Sequence, residues 1–207
     1  MAPRPDPLPP RTVVAGAALA ALAVPARFAI LNHLMAAGPR TASQCADVVG
    51  ETASNCSWHL RALAEVGLVE RAEPSGTDGR VRPWRAAVVG IELPDDVGPA
   101  GAVARAALSG AAVQQADELF RRYLARRELL PPEWTQVGGE NDYSLLLTPA
   151  ELESLVAAVD DLVRPYVRPI RADAPDGSAV VRLTLRTFLD PDVHRTQQPP
   201  PDPAGES

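Results

Sequence analysis

The chain has 207 residues, of which 46% are hydrophobic and 22% charged, and its formal net charge is −6. This composition predicts a globular protein with one large or two small domains, and it argues mildly against nucleic-acid binding driven by overall charge. A local basic face is nevertheless sufficient for binding a duplex. All 20 basic residues are arginine, whose planar fork matches phosphate and guanine.

Two helices are predicted near the N-terminus. Residues 1–10 are proline-rich and predicted to be disordered, and an alanine-rich helix follows from about Arg11 to Ala23. This apolar stretch has the length of an export signal, but the apolar pattern continues through Pro25 into a second helix instead of stopping at a cleavage site. No stretch reaches the length of a membrane span. We therefore expect a cytoplasmic protein without a membrane partner.

The next two predicted helices are short and lie close together in the sequence. Gly38 and Pro39 end the second helix, and Thr41 begins the third with Gln44 at the spacing of a capping box. Gly50 follows the end of this helix, and a fourth helix begins near Ala53. Two helices joined by a tight glycine-containing turn indicate a helix-turn-helix.

After Gly67 the pattern changes to that of a β-hairpin. The segments "LVERA" and "VRPWRAA" are predicted strands, and "EPSGTDGR" between them is rich in turn residues. A helix-turn-helix followed by such a hairpin is a winged helix-turn-helix DNA-binding domain, which we place at residues 11–93. Leu93 to Ala100 resembles a domain boundary.

The second half, residues 100–190, is predicted to be a dimerisation and possible effector region. A long helix covers "AVARAALSGAAVQQADELFRRYLARREL", and a second helix begins at Thr148, with Pro149 and Glu151 at favourable positions. "YSLLL" and "AVVRLTLRTFL" are predicted strands that could pair with each other. Residues 191–207 are predicted to be a disordered tail. The expected fold class is mainly α with a small β component (α+β).

The fourth helix has two distinct faces. Cys56, Leu60 and Leu63 share one face at helical spacing, whereas the opposite face carries small hydroxyls, an arginine and a tryptophan. Such groups fit a major groove and base edges, although a solvated face is the alternative. The predicted DNA-binding residues are Thr52, Ser54, Asn55, Ser57, Trp58, Arg61, Arg80 and Arg82. The last two lie in the hairpin, where the alternative is a solubilising edge strand. His59 lies at the edge of the inner face, where we expect a packed, hydrogen-bonded core histidine.

Three segments in order resemble a known family. "LAVPARFAILNHL", "TASQCADVVGETASNCSWHLRALAEVGLVE" and "GRVRPWRA" together resemble the winged helix of ArsR-like bacterial transcriptional regulators. "LTPAELESLVAAVDDLVRPY" is similar to the C-terminal region of a longer, actinobacterial-type branch. The resemblance implies a homodimer, assembled through the first helix and C-terminal helical material, that binds double-stranded DNA with inverted-repeat symmetry as a transcriptional regulator, with repression the expected sign.

The cysteines depart from the metal-sensing members of that family. Those members carry a Cys-x-Cys box where this chain has Thr41 and Ser43, so neither a metal nor another cofactor is expected. The two cysteines, Cys45 and Cys56, fall at positions that the family uses for its core. Buried inert thiols are favoured there over a thiol switch.

Other functions remain as alternatives. Trp134, Tyr143 and Phe188 could line a small-molecule effector pocket or belong to the core. No enzyme is expected, since "GGEND" does not precede a helix as a cofactor loop would, and His33, His59 and His194 lack motif context. A winged helix used only for protein contacts is the main alternative, followed by a winged-helix dimerisation domain of an enzyme.

Overall fold

The computed structural model describes residues 9–73, 82–94 and 98–193. The described chain is α+β and mainly helical, with a helix-turn-helix domain followed by a helical region, as the sequence predicts. Its helices are α1 (Gly16–Leu22), α2 (Pro25–Ala37), α3 (Ala42–Val49), α4 (Ala53–Glu65), α5 (Gly98–Arg126), α6 (Pro132–Thr135) and α7 (Pro149–Val163). Its strands are β1 (Thr12–Val13), β2 (Val69–Arg71), β3 (Trp84–Ala86) and β4 (Ile91–Glu92). The predicted hairpin tip with Arg80, the predicted disorder of residues 1–8 and that of residues 194–207, with His194, lie outside the described residues.

Local sequence signals set the boundaries of the central helices. Pro25 is the first residue of α2, and Gly38 follows its end with a φ of 81°. The Thr41 side chain accepts a hydrogen bond from the Gln44 backbone N–H, and the Gln44 side chain accepts one from the Thr41 backbone N–H. Gly50 ends α3 in the left-handed conformation. These predicted boundaries are confirmed.

The predicted first helix is wrong at its N-terminal end. Thr12–Val13 forms β1, which pairs in parallel with β4, and the Val14 backbone N–H donates to the Glu92 carbonyl over 2.8 Å. Val14 is fully buried beside this pair. The β-branched side chains of this segment disfavour a helix, and a distant strand supplies hydrogen bonds that local sequence does not reveal.

The hydrophobic core lies between α1, α2, α3 and α4, and α5 packs against α1 and α2. Its largest fully buried side chains include Leu19, Leu22, Ile30, Leu31, Leu60 and Leu63. β2 and β3 pair antiparallel and form a hairpin, with Val69 opposite Ala86. Val69 and Trp84 of this hairpin are buried in the same core. Trp84 of β3 is 7% exposed and exchanges backbone hydrogen bonds with Arg40. We call the hairpin of β2 and β3 the wing. Its base is therefore hydrogen-bonded to the loop between α2 and α3.

The long helix after the predicted boundary packs back onto the N-terminal domain. Leu108 and Ala111 of α5 are buried in the same core. The Asn32 side-chain amide of α2 donates to the Gln115 side-chain oxygen over 2.9 Å.

No single described helix has the length and apolarity to cross a membrane. The helices α1 and α2 meet those two criteria only when taken together, as a pair bent by 94°.

The two strands predicted in the second half are wrong. "YSLLL" (residues 143–147) and "AVVRLTLRTFL" (residues 179–189) form neither strand nor helix. A strand needs a hydrogen-bonded neighbour, and no backbone hydrogen bond joins either segment to another described residue. By contrast, α7 begins at the predicted capping box of Thr148 and Glu151, although none of its residues is buried.

Candidate nucleic-acid interface

The packing of α4 determines which of its side chains face solvent. Cys56, Leu60 and Leu63 are all 0% exposed and hold the inner face of α4 against the core. On the outer face Trp58 is 54% exposed, Ser54 and Arg61 are exposed, and Ser57 is half-buried. The polar and aromatic side of this helix is thus accessible to a large partner such as a duplex.

The first residues of α4 make hydrogen bonds that bear on two of the predicted contacts. The Thr52 hydroxyl accepts from the Asn55 backbone N–H over 3.1 Å and caps the helix. The Asn55 side-chain amide donates to Oε2 of Glu51 over 2.9 Å. This bond uses one N–H of the Asn55 amide and leaves its second N–H and its oxygen for a base edge. Thr52 serves first as a helix cap, with its hydroxyl already engaged.

Arg27 is a candidate contact that the sequence analysis missed. Its guanidinium carbon lies 4.7 Å from the centroid of the Trp58 ring, and its Nε is buried with no hydrogen-bond partner among the described residues. The His59 ring meets Trp58 edge-on, with 5.0 Å between the ring centroids. One signal could have identified Arg27, since it is the single formally charged residue of α2 and lies in its first turn.

A concave surface lies beside these side chains. Arg27, Trp58 and Arg61 line an open groove of about 420 Å³ between α1, α2 and α4. Alanines of α1 also line this groove, and so does Glu65, which brings one negative charge to it. Two guanidinium groups and one indole ring therefore share a single surface, which suits the phosphate and sugar of a nucleic-acid backbone.

His59 is packed, as expected, but the side-chain hydrogen bond predicted for it is absent among the described residues. The residue is 8% exposed, and its Nδ1 has no hydrogen-bond partner among the described residues. Burial lowers the pKa of His59, and the positive charge of Arg27 lowers it further, with Glu51 acting weakly in the opposite direction. A neutral imidazole is therefore favoured under the outer face of α4.

The base of the wing uses most of its arginines internally. The Arg71 guanidinium carbon lies 3.8 Å from the Trp84 ring centroid, and Arg71 also donates to the Arg82 carbonyl over 2.6 Å. Arg85 forms an ion pair with Glu70 at 2.6 Å. The Arg82 side chain is exposed. Arg82 is therefore the one arginine at this base whose guanidinium has no hydrogen bond or ion pair among the described residues.

The cysteines belong to the core of the helix-turn-helix. Cys45 of α3 and Cys56 of α4 are both 0% exposed. Burial raises the pKa of Cys45 to about 11, with a smaller contribution from the neighbouring Cys56. Burial also raises the pKa of Cys56, and Glu51 adds to this effect. Both thiols are thus protonated and sheltered, and no group of three potential metal ligands occurs within the described ranges.

The aromatic residues considered for an effector pocket do not enclose one within a single chain. Trp134 is half-buried, but Tyr143 is 74% exposed and Phe188 is 77% exposed. None of the three lines the groove beside α4. Side chains this exposed require a further surface to form a pocket, because a ligand site buries most of its occupant.

Comparison with known proteins supports the N-terminal assignment. A family model described as a helix-turn-helix domain matches residues 22–72, which include α2, α3, α4 and β2. No curated protein matches the chain. The matched range contains Arg27, Trp58 and Arg61, so the outer face of α4 lies within the recognised domain, whereas the α1 wall of the groove precedes it. The chain therefore carries a helix-turn-helix domain of the kind that DNA-binding transcriptional regulators use.

Proposed function

We propose that the protein is an ArsR-like, sequence-specific transcriptional regulator that binds an inverted-repeat operator as a homodimer, represses transcription and has no enzymatic activity. The observation that carries this proposal is the exposed outer face of α4. The first nine residues of this helix, from Ala53 to Arg61, contain no acid, and the first acid of the helix is Glu65, one turn further on. Within this stretch the face therefore presents no negative side chain of its own to a polyanion.

The N-terminal half of α4 is the part that would enter the major groove. Ser54 and Ser57 are small and permit close approach of the helix, while the Arg61 fork can bind O6 and N7 of a guanine. Arg27 and Trp58 lie at the side of α4, where the backbone of the same half-site would pass. Arg82 would reach a flanking phosphate from the wing.

The modest number of arginines argues for two copies on one operator. Each chain has a negative net charge, and its ion pairs neutralise several arginines, including Arg85. One copy would therefore bind weakly and with strong dependence on salt. Two α4 helices about one turn of DNA apart, at roughly 10 base pairs, would double the contacts.

Enrichment of duplexes from a random library tests the proposal directly. We expect the full-length protein to select an inverted repeat and to bind it more weakly at about 200 mM than at about 50 mM salt. Arg61→Ala should lose about 10- to 100-fold in affinity, the range expected for one bidentate base contact. The matched control is Arg126→Ala on α5, an exposed arginine outside the face. A library with no enriched sequence, or an Arg61→Ala variant that binds like the parent, would refute the assignment.

A reporter gene placed behind the selected operator tests the sign of regulation. Repression predicts lower reporter expression when the parent protein is present, because a dimer on the operator excludes the polymerase. The Arg61→Ala variant should restore expression while accumulating to the same level. Higher expression with the parent protein would show an activator and would contradict the repressor part of the proposal.

A winged helix devoted to protein contacts is the second candidate, and one observation favours it. The hydrogen bond from Asn55 to Glu51 places a carboxylate at the N-terminus of α4, where a DNA phosphate or base would otherwise approach. Glu51→Gln distinguishes the two functions. A DNA-binding protein should gain affinity for its operator when this charge is removed, whereas a protein-binding module should enrich no duplex in either form.

A further inference from the structure

We infer that residues 143–147 of one copy pair with residues 179–189 of a second copy, so that the homodimer interface is an exchanged β-structure in the C-terminal region. This inference rests on the homodimer of the proposed function and specifies its interface. We call these two stretches the exchange segments. The sequence predicts both as strands. Within one chain, however, no backbone hydrogen bond joins either segment to the other or to any other described residue.

The contacts of the second exchange segment are the reverse of those in an ordinary amphipathic strand. Its arginines bind the body of their own chain: Arg182 donates to the Asn32 carbonyl over 3.2 Å, and Arg186 pairs with Asp117 at 2.8 Å. Its large apolar side chains are left in solvent, with Val181 67% and Leu185 54% exposed. A half-buried strand normally exposes its charges and buries its apolar side chains. The apolar residues therefore lack the surface that would cover them.

The apolar area left in solvent on the two segments is large enough to form one side of a protein interface. The exposed large apolar residues of the exchange segments are Tyr143, Leu145, Leu146, Leu147, Val180, Val181, Leu183, Leu185, Phe188 and Leu189. Their exposed fractions run from 40% to 99%. At roughly 100 Å² for a Val or Leu side chain and 150–250 Å² for Phe or Tyr, they expose on the order of 800 Å² per chain, summed over both segments. A stable interface buries about 800 Å² on each partner.

The unpaired backbone of both segments indicates how a partner would cover them. Extended segments with free N–H and C=O groups bind another strand at their edge. A second copy offers residues 179–189 to the first segment and residues 143–147 to the second. Two copies related by a two-fold axis can therefore pair all four segments. The first segment, "YSLLL", carries no charge. If residues 179–189 instead paired with the same residues of a second copy, antiparallel about Thr184, Arg182 would lie opposite Arg186. Pairing with the uncharged first segment avoids this repulsion.

Crosslinking between differently tagged copies tests the exchange. Leu146→Cys and Val181→Cys place single thiols in the two segments, and the native Cys45 and Cys56 are buried, so a short bismaleimide would react at the introduced sites. We expect a heterodimeric product when the two variants are co-expressed. The matched control is Leu129→Cys, 84% exposed but outside the segments, combined with Val181→Cys, which should give no product. Absence of product from the first pair, or equal product from both, would overturn the inference.

A second variant separates this inference from the proposed function. Val181→Asp with Leu185→Asp should convert the dimer to a monomer by light scattering, with Leu129→Asp as the dimeric control. Because these side chains are exposed within one chain, the variant should keep its helical circular dichroism, and its melting temperature should fall only by the stabilisation that the dimer provides. Its affinity for the inverted repeat should fall by at least tenfold, while binding to a single half-site stays unchanged. A variant that remains dimeric refutes the exchange alone, and a parent that enriches no duplex refutes the proposed function.

Discussion

The guanidinium of Arg27 on α2 lies over the indole ring of Trp58 on α4, with its central carbon 4.7 Å from the ring centroid. The contact joins the start of one core helix to the outer face of another. A cation–π contact at a partly exposed site contributes about 0.5–1 kcal/mol. Trp58 is therefore held in place on the candidate DNA-binding face, and a positive charge is held beside it.

Arg27→Ala should weaken operator binding and reduce its dependence on salt. If Arg27 binds a phosphate, its loss should lower the slope of log affinity against log salt concentration by about 0.9 for each half-site. The stability loss should stay near 0.5–1 kcal/mol, because only the contact with Trp58 disappears. A salt titration of duplex binding measures the slope. The same slope in the variant and in the Arg126→Ala control would contradict this role.

Ser57→Glu should abolish operator binding without unfolding the protein. Ser57 is half-buried on the outer face of α4, so a carboxylate there would meet the negative charge of the duplex. We expect at least 100-fold weaker binding in a gel-shift assay and an unchanged melting temperature. Ser154→Glu, on the exposed surface of α7, introduces the same charge elsewhere and should bind like the parent. Equal affinities of the two variants would show that α4 does not face DNA.

Leu60→Ala should destabilise the helix-turn-helix by about 2–5 kcal/mol, because it leaves a cavity under α4. Leu60 is 0% exposed, whereas Leu129 is 84% exposed. Leu129→Ala should therefore change stability by less than about 0.5 kcal/mol. Urea denaturation followed by circular dichroism measures both. Similar midpoints for the two variants would mean that the inner face of α4 is not the core.

The protein should lose stability as the pH falls through the range in which histidine protonates. Burial and Arg27 lower the pKa of folded His59 below its ordinary value of 6.5, so stability is fully present above pH 6.5 and decreases below it. His33 shifts in the same direction, through burial and the charges of Arg40 and Arg182. Between pH 7.5 and 5, the urea midpoint of His59→Gln should therefore decrease less than that of the parent. A decrease should remain, because His33 still contributes. An identical decrease in parent and variant would rule out His59 as a contributor.

Neither cysteine should react with a thiol reagent in the native protein at pH 8. Both thiols are 0% exposed, and burial raises the pKa of Cys45 to about 11. Reaction with a chromogenic disulfide should reach two equivalents only after unfolding in denaturant. One rapid equivalent in the native state would instead indicate an accessible thiolate and would favour the thiol switch.

Local chemistry allowed several elements to be predicted before the structure was known. The capping residues Thr41 and Thr148, the initial Pro25 and the terminal Gly50 act within a single helical turn, so their effects can be deduced from neighbouring residues. The two faces of α4 follow from helical spacing in the same way. Seven of the eight predicted DNA-binding residues lie in the described chain, all but one exposed, with Ser57 half-buried.

Contacts between distant parts of the chain decided the remainder. Thr12 forms a strand because Ile91 lies beside it, and Arg27 joins the outer face of α4 because α2 and α4 pack together. The strand propensity of residues 179–189 was evident in the sequence, but whether a neighbour is present is a property of the folded chain. Spacing and propensity act over a few residues, whereas strand pairing and burial depend on which segments meet in space. Helix ends and faces were therefore determined by the sequence alone, and the partners of those faces only by the tertiary structure.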